Sequence, residues 1–303
     1  MLKKYPAATL ITILSFVLGI GETFSDLFLN THAHNVVLVQ QLLNPLNLDW
    51  IFSDKMGRYN GHNYTCAIFD VLLLLGAILY IASQNKQSGL TRFVFSMIFL
   101  SNILSFVYSL IFFAFIKSPL SMSSRDVLID AGFYSLQAFW IYVSYQVLKF
   151  LRQGKALQTE ISELDEAPGT YFVAASVWQR IVHPFIDTFV TIVLFSPILH
   201  AIKYWSLRSR LQYSVSETQV MIIFILLRVL YYLFYENVLG TTPAKLITGT
   251  RVTDYDGNKP PFKNILVRTF SRLVPFEAFS FFTRDGWHDK WSETMVVKEQ
   301  NKA

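Results

Sequence analysis

Five ionisable side chains sit where an apolar chain has little ordinary use for charge. Arg180 and Asp187 lie seven residues apart at the start of one apolar run, and Arg228 and Glu236 lie eight apart within the next. Asp289 follows in Gly286-Trp-His-Asp-Lys-Trp291. Seven or eight residues make about two helical turns, so each pair shares a face at a separation of roughly 10 Å along the axis. Arg180 and Asp187 therefore cannot bond each other. Matching depths between the two runs pairs Arg180 with Glu236 near the inner surface, and Asp187 with Arg228 about 10–18 Å further in. An ionisable group at mid-membrane costs about 2.5–3.5 kcal/mol on insertion scales unless a partner or water receives it. Two readings stand: charge-compensated rungs that fix helix register, or a proton or cation path through Asp187. A third is that some of these groups face a partner chain.

A second set of acids belongs to the first half. Glu22 and Asp26 close the first apolar run, Asp70 lies in the second and Asp130 in the fourth, all toward the outer side in the orientation argued below. Together they could form a cation path. With His32, His34 and His62 in the adjoining loop they have the chemistry of a divalent-metal site, and as groups wetted at an interface they need no role at all. No metal is assigned. Catalytic patterns are missing: there is no Gly-x-Ser-x-Gly, no His-Glu-x-x-His and no phosphate-cradling glycine loop. His288 and Asp289 are adjacent and point apart, so no enzyme and no cofactor are expected.

These groups must be positioned by long apolar helices. The chain has 303 residues, 52% hydrophobic and 16% charged, with 27 Phe and one cysteine. Soluble domains carry about 25% charged residues, so the deficit points to a bilayer. One cysteine excludes an internal disulfide framework and a Cys-rich metal site. Six runs, approximately 7–28, 64–82, 93–116, 127–150, 182–202 and 218–239, approach or exceed the roughly 20 residues that span hydrocarbon. The first follows Lys3 and Lys4 as a signal peptide would, but lacks a small-x-small cleavage site and is expected to stay. With the N-terminus inside, 18 of the 26 basic residues fall on cytoplasmic segments and seven outside, with Arg228 within a span. The excess places both termini in the cytoplasm. Scattered basic residues at the ends of apolar runs give no nucleic-acid face. The partners expected are the lipid bilayer and, beyond it, a membrane protein or a second copy.

Residues 151–175 form the longest polar linker, with Glu160, Glu163, Asp165, Glu166 and the breaker Pro168-Gly169. The reading is a four-helix transmembrane domain over 1–150, a cytoplasmic acidic linker over 151–175, and a second domain over 176–303. In that last domain Leu246 to Asp254 suits a strand ending in the Asp256-Gly257 turn, with Ile247 to Thr253 pairing with Thr294 to Val297. Phe262 to Phe282 reads as an interfacial or partly re-entrant amphipathic helix in which Lys263, Arg268 and Arg272 snorkel. The expected fold is an all-α polytopic membrane protein: six transmembrane helices, an interfacial helix and a small cytoplasmic β-hairpin-like element.

The run Gly240-Thr-Thr-Pro-Ala-Lys-Leu-Ile-Thr-Gly-Thr-Arg-Val-Thr-Asp-Tyr-Asp-Gly257, the run Gly286-Trp-His-Asp-Lys-Trp-Ser-Glu-Thr-Met-Val-Val297, and the pair Arg180 and Asp187 carry a resemblance. Together they resemble the RDD family of bacterial membrane proteins. That family is named for one arginine and two aspartates, which fall here on Arg180, Asp187 and Asp289. The resemblance covers roughly 171–298. It departs from the family pattern at Ala244, where glycine is usual, and at Pro184. It implies a bacterial inner-membrane location and a contact of Asp289 with Arg180 or Arg268. It also implies transport of a cation or small solute, the alternative being a scaffold or assembly subunit.

Overall fold

The computed structural model describes residues 6–28, 42, 45–46, 61–115, 124–162, 169–208, 215–274 and 286–302. Each apolar run is a helix: α1 (Pro6–Phe28), α2 (Gly61–Ala82), α3 (Gly89–Phe115), α4 (Ser124–Gln153), α5 (Val177–Arg208) and α6 (Glu217–Val238). Four stretches among the described residues are long and apolar enough to cross a membrane: Gly89–Ile111, Val127–Gln153, Val177–Leu199 and Glu217–Val238. The apolar stretches of α1 and α2 are shorter, Ala7–Ile20 and Ala67–Ala82. Six spans are expected; six long helices lie at those runs, and four of them have the full apolar length. Exposed apolar stripes run along them, such as Leu10, Ile13, Val17 and Ile20 on α1 and Met221, Ile225 and Leu226 on α6. Such stripes suit hydrocarbon rather than water, and the chain is a membrane protein.

Two compact units divide the chain: Met1–Leu151 with Ser196–Leu211, and Arg152–Phe195 with Gln212–Ala303. In the first, α1 packs on α2 and α2 on α3. The α1–α2 approach is close because position 19 is glycine. A Cβ there would stand 2.5 Å from Leu74 Cγ and 3.2 Å from the Asp70 carbonyl oxygen, so any side chain would push the helices apart. Helix α3 is buried nearly all round from Phe93 to Asn102.

The second unit mixes helices with a small sheet. Its strands are β1 (Lys155–Leu157), β2 (Thr159–Ser162), β3 (Gly169–Phe172), β4 (Thr250–Thr253) and β5 (Met295–Asn301). Short helices α7 (Pro243–Thr248), α8 (Phe262–Ser271) and α9 (Trp287–Trp291) intervene. Strands run antiparallel in the order β1-β5-β4, with Thr250 opposite Lys298 and Val252 opposite Val296. Strands β2 and β3 form a separate antiparallel pair. Arg251 and Glu299 tie β4 to β5 by an ion pair of 2.5 Å.

Three expectations change here. The strand expected from Leu246 is shorter, because 243–248 form α7; Gly249, at φ +64°, ends that helix in the left-handed conformation and starts β4. The segment 151–175 holds three strands as well as its acids, since Thr159, Ile161, Tyr171 and Phe172 are strand formers at both ends of the acidic stretch. One of these, β1, joins β5, so the expected two-stranded element is a three-stranded sheet. The helix expected over 262–282 is assigned as far as Ser271, and positions 275–282 lie outside the described residues.

Both long helices of this unit start with the same local device. Ser176 and Ser216 each accept a bond from the backbone N–H of a glutamine three residues on, at 3.3 Å. The glutamine side chains, Gln179 and Gln219, accept the serine N–H in return at 2.9 Å. These reciprocal caps satisfy first-turn donors that would otherwise be orphaned.

Candidate functional site

Helices α5 to α9 bring their charged side chains into two adjoining groups inside the second unit. Arg180, His183 and Asp187 come from α5, Tyr231 and Glu236 from α6, and Lys245 from α7. Arg268 and Arg272 belong to the α8 segment, and His288 and Asp289 to α9. Arg180, Asp187, Glu236, Lys245, Arg268 and Asp289 are all buried.

Arg268 is the centre of the first group. It is 0% exposed, its Nη1 donates to Asp289 Oδ1 and to Thr294 Oγ1 (2.7 Å), and its Nε stands 3.4 Å from Glu236 Oε2. Glu236 Oε1 also accepts Lys245 Nζ at 2.9 Å and Arg272 at 2.7 Å. Asp289 is further approached by Arg180 Nη1 and His288 Nε2, both at 3.5 Å. Four cations thus converge on two carboxylates. Arg272 also lies over the Tyr232 ring, 4.2 Å from its centroid, a cation–π contact.

Helix α8 makes this possible by turning inside out. It buries Ile265, Arg268, Thr269 and Ser271, and it exposes Phe262, Leu266 and Phe270, with Leu273 just beyond its end. Those apolar positions recur at four, four and three residues and so share a face.

The second group centres on Asp187. Its carboxylate accepts the Tyr231 hydroxyl at 2.8 Å and the backbone N–H of Ala244 at 3.2 Å, with a further bond from the Thr242 side chain. Ala244 is in the first turn of α7, where N–H groups have no partner within the helix. Thr242 stands at the N-cap position without capping by its own side chain, and Pro243 brings no N–H. Asp187 therefore caps α7 from another helix, and its negative charge suits that helix end. His183 Nε2 adds contacts to Thr248 Oγ1 at 2.7 Å and Thr250 Oγ1 at 3.2 Å.

The depth-matched rungs are corrected by this geometry. Glu236 pairs with Lys245, Arg272 and Arg268, and the Arg180 ion pair is with Asp289. Asp187 bonds Tyr231, one turn on from Arg228, whereas Arg228 is half-buried with its guanidinium 5.8 Å from the Tyr232 ring. Depth along two helices fixes level but not rotation, and the return of 240–248 against α5 supplied partners that depth alone could not. The expected contact of Asp289 with Arg180 or Arg268 is made with both. Arg268 and Arg272 do not snorkel outward. The signal available in the sequence was the polar set at 268, 269, 271 and 272 opposite the apolar set at 262, 266, 270 and 273.

Asp70 and Asp130 are each half-exposed, on α2 and α4. The side chains of Glu22, Asp26 and His62 lie outside the described residues, as do His32 and His34. Among the described residues no group of three or more His, Cys, Asp or Glu could hold a metal ion.

Burial alone would raise the Asp289 carboxyl. The Arg268 guanidinium, with His288 and Arg180, instead holds it down at about 2. Burial works the other way on Lys245 and lowers it, although Glu236 opposes that shift and Arg272 and Arg268 add to it.

Removing Arg268 takes from buried Asp289 its closest cation, leaving Arg180 and His288 at 3.5 Å, while Glu236 keeps Lys245 and Arg272. Arg268→Met should therefore cost about 3–5 kcal/mol of stability, the scale of breaking a buried pair from one side. Lys155→Ala, on the edge strand β1 where its Nζ bond to Asn301 Oδ1 is exposed, should cost about 1 kcal/mol or less. Unfolding of both variants in detergent micelles measures the contrast, and equal losses would remove Arg268 from the centre. The Asp289 shift carries a second expectation. A depressed folded pKa gives stability that is present above the unfolded value near 4 and is lost as pH falls toward about 2. Wild type should lose roughly 2 kcal/mol across that interval through this group, and Asp289→Asn should flatten that part of the curve.

No curated protein and no solved structure matches the chain. The model of the RDD family matches residues 174–293, a stretch holding Arg180, Asp187, Asp289 and every partner described for them, so the C-terminal part of the chain carries the domain of that family.

Proposed function

We propose that this is a multi-pass protein of a bacterial plasma membrane that moves a proton, another cation or a small solute across it, with Asp187 as the exchanging group. Its six long helices cross six times with both termini cytoplasmic, and α8 lies at the interface. The single observation that carries the reading is the setting of Asp187. It is 1% exposed near the middle of the candidate span Val177–Leu199, and the hydrogen bonds that hold its carboxylate come from neutral groups. A buried acid within a span is by default a functional group. One held by hydroxyl and amide donors can gain or lose a proton without stranding a bonded cation. The Glu236–Arg268–Asp289 group beside it is ion-paired and suits a fixed anchor. No enzymatic step is part of this reading. A scaffold or assembly role is the competing one, favoured by the number of ion pairs that lock that anchor in place.

Topology is tested by cysteine labelling in a Cys66→Ser background. Lys55→Cys and Lys117→Cys should react with an impermeant reagent from outside, and Glu163→Cys and Asn258→Cys should not. Labelling of the last two from outside would overturn the orientation.

Asp187→Asn tests the transport reading. Asparagine keeps an oxygen to accept from Tyr231 and Ala244, so the protein should fold and remain monodisperse. In proteoliposomes carrying a pH-sensitive dye, the variant should lose at least ten-fold of the Na+- or K+-driven proton movement seen with wild type. Unchanged flux in the variant would remove Asp187 from the path. Absence of flux from folded wild type with both ions and with a proton gradient alone would favour the scaffold.

A further inference from the structure

The first unit buries a set of neutral polar atoms on two neighbouring helices, different in kind from the charged group of the second. Helices α3 and α4 are antiparallel neighbours: Tyr134 Oη donates to the Ser109 carbonyl at 3.2 Å, Gln137 Nε2 donates to Ser105 Oγ at 2.6 Å, and the Phe99 and Tyr145 rings lie 6.1 Å apart. This register sets Asn102, one turn before Ser105, at the level of Trp140, one turn beyond Gln137. Ser144 continues the same face of α4. Asn102, Gln137, Trp140 and Ser144 are all 4% exposed or less.

Each of the four keeps a polar atom with no hydrogen-bond partner: Asn102 Oδ1, Gln137 Oε1, Trp140 Nε1 and Ser144 Oγ. The other ends of the amides are engaged, Asn102 Nδ2 with the Pro45 and Ile98 carbonyls and Gln137 Nε2 with Ser105. What is left over is two carbonyl acceptors, one indole donor and one hydroxyl that can do either. The levels of Asn102 and Trp140 are also near the middle of the candidate spans Gly89–Ile111 and Val127–Gln153. Bulk water does not reach that depth, and buried polar groups there require partners.

We propose that the seam between α3 and α4 is a binding site for a small uncharged hydrogen-bonding guest, either water or a polyol or amide of a few heavy atoms. The complement of the four groups is a molecule that both donates and accepts, which water, glycerol and urea all do. Acids and bases are absent from the four, so an ion would find neither a countercharge nor a full coordination shell. The site stands apart from the role proposed for Asp187, and its failure leaves that reading intact.

Ser144→Cys in the Cys66→Ser background replaces the hydroxyl with a thiol of nearly the same shape. Treated with the small neutral reagent methyl methanethiosulfonate, the folded protein should be modified more slowly than an aqueous thiol but at least ten-fold faster than Ser15→Cys, a buried helical position whose hydroxyl is already bonded. Slowing by several-fold in molar glycerol or urea identifies an organic guest, and unchanged reaction identifies water; either supports the site. Adding Asn102→Leu and Gln137→Leu should slow modification at least ten-fold, since the guest loses its acceptors. A seam that is dry would instead leave Ser144→Cys unreacted, and the leucine pair would raise the unfolding temperature. Either of those results, or fast labelling that survives the leucine pair, would overturn the proposal.

Discussion

A guanidinium with no exposed surface constrains everything around it. Arg268 cannot shed its charge, so its burial requires carboxylates brought from elsewhere in the chain. Glu236 on α6 and Asp289 on α9 meet that requirement. Their convergence forces α8 to present its polar side inward, and the apolar residues at 262, 266, 270 and 273 are left facing out. An exposed apolar stripe beside the exposed, stacked rings of Trp287 and Trp291 is a poor surface for water and a good one for lipid headgroup depth. The lipid-seeking character of this segment is thus a by-product of burying one arginine.

The same logic separates the three residues for which the family is named. Arg180 and Asp289 belong to the ion-paired group, and Asp187 belongs to a capping arrangement. Pro243 begins α7 without an N–H to satisfy, Thr242 leaves its cap unmade, and Asp187 supplies the missing acceptor across from α5. Lys245, one residue after the capped amide, then reaches Glu236. Thr-Thr-Pro-Ala-Lys is therefore a short connector between the two groups: its start is held by Asp187 and its lysine by Glu236.

The sequence was most legible where a pattern repeats over many turns. Twenty-residue apolar runs can form little other than helices in lipid, and all six helices lie where those runs lie. The β4–β5 pairing followed from β-prone residues at 247–253, closed by an Asp-Gly turn, and a second β-prone piece at 294–297. Partner choice was not legible. Arg228 and Tyr231 are one turn apart on α6 and at nearly equal depth, yet Tyr231 is the one that meets Asp187. That choice depends on helix rotation and on the fold-back of 240–248, both set by contacts distant in sequence. The strands in 151–175 were hidden for a different reason: the acids between them gave the segment the composition of a linker.

The two units meet the difficulty of polar groups in apolar surroundings by different means. In the second, Arg180, Lys245, Arg268 and Arg272 are gathered on Glu236 and Asp289, while Asp187 is held by neutral donors, an arrangement that tolerates little change in any member. In the first, Arg92 apart, α3 and α4 bury amides, hydroxyls and an indole, whose stranding is less severe than that of a charge. An unpaired atom therefore costs less in the first unit than in the second. Leftover capacity in a neutral set can be met by a guest that comes and goes. Buried charge needs opposite charge in place at all times, and Glu236 and Asp289 supply it from within the chain to the cations that touch them.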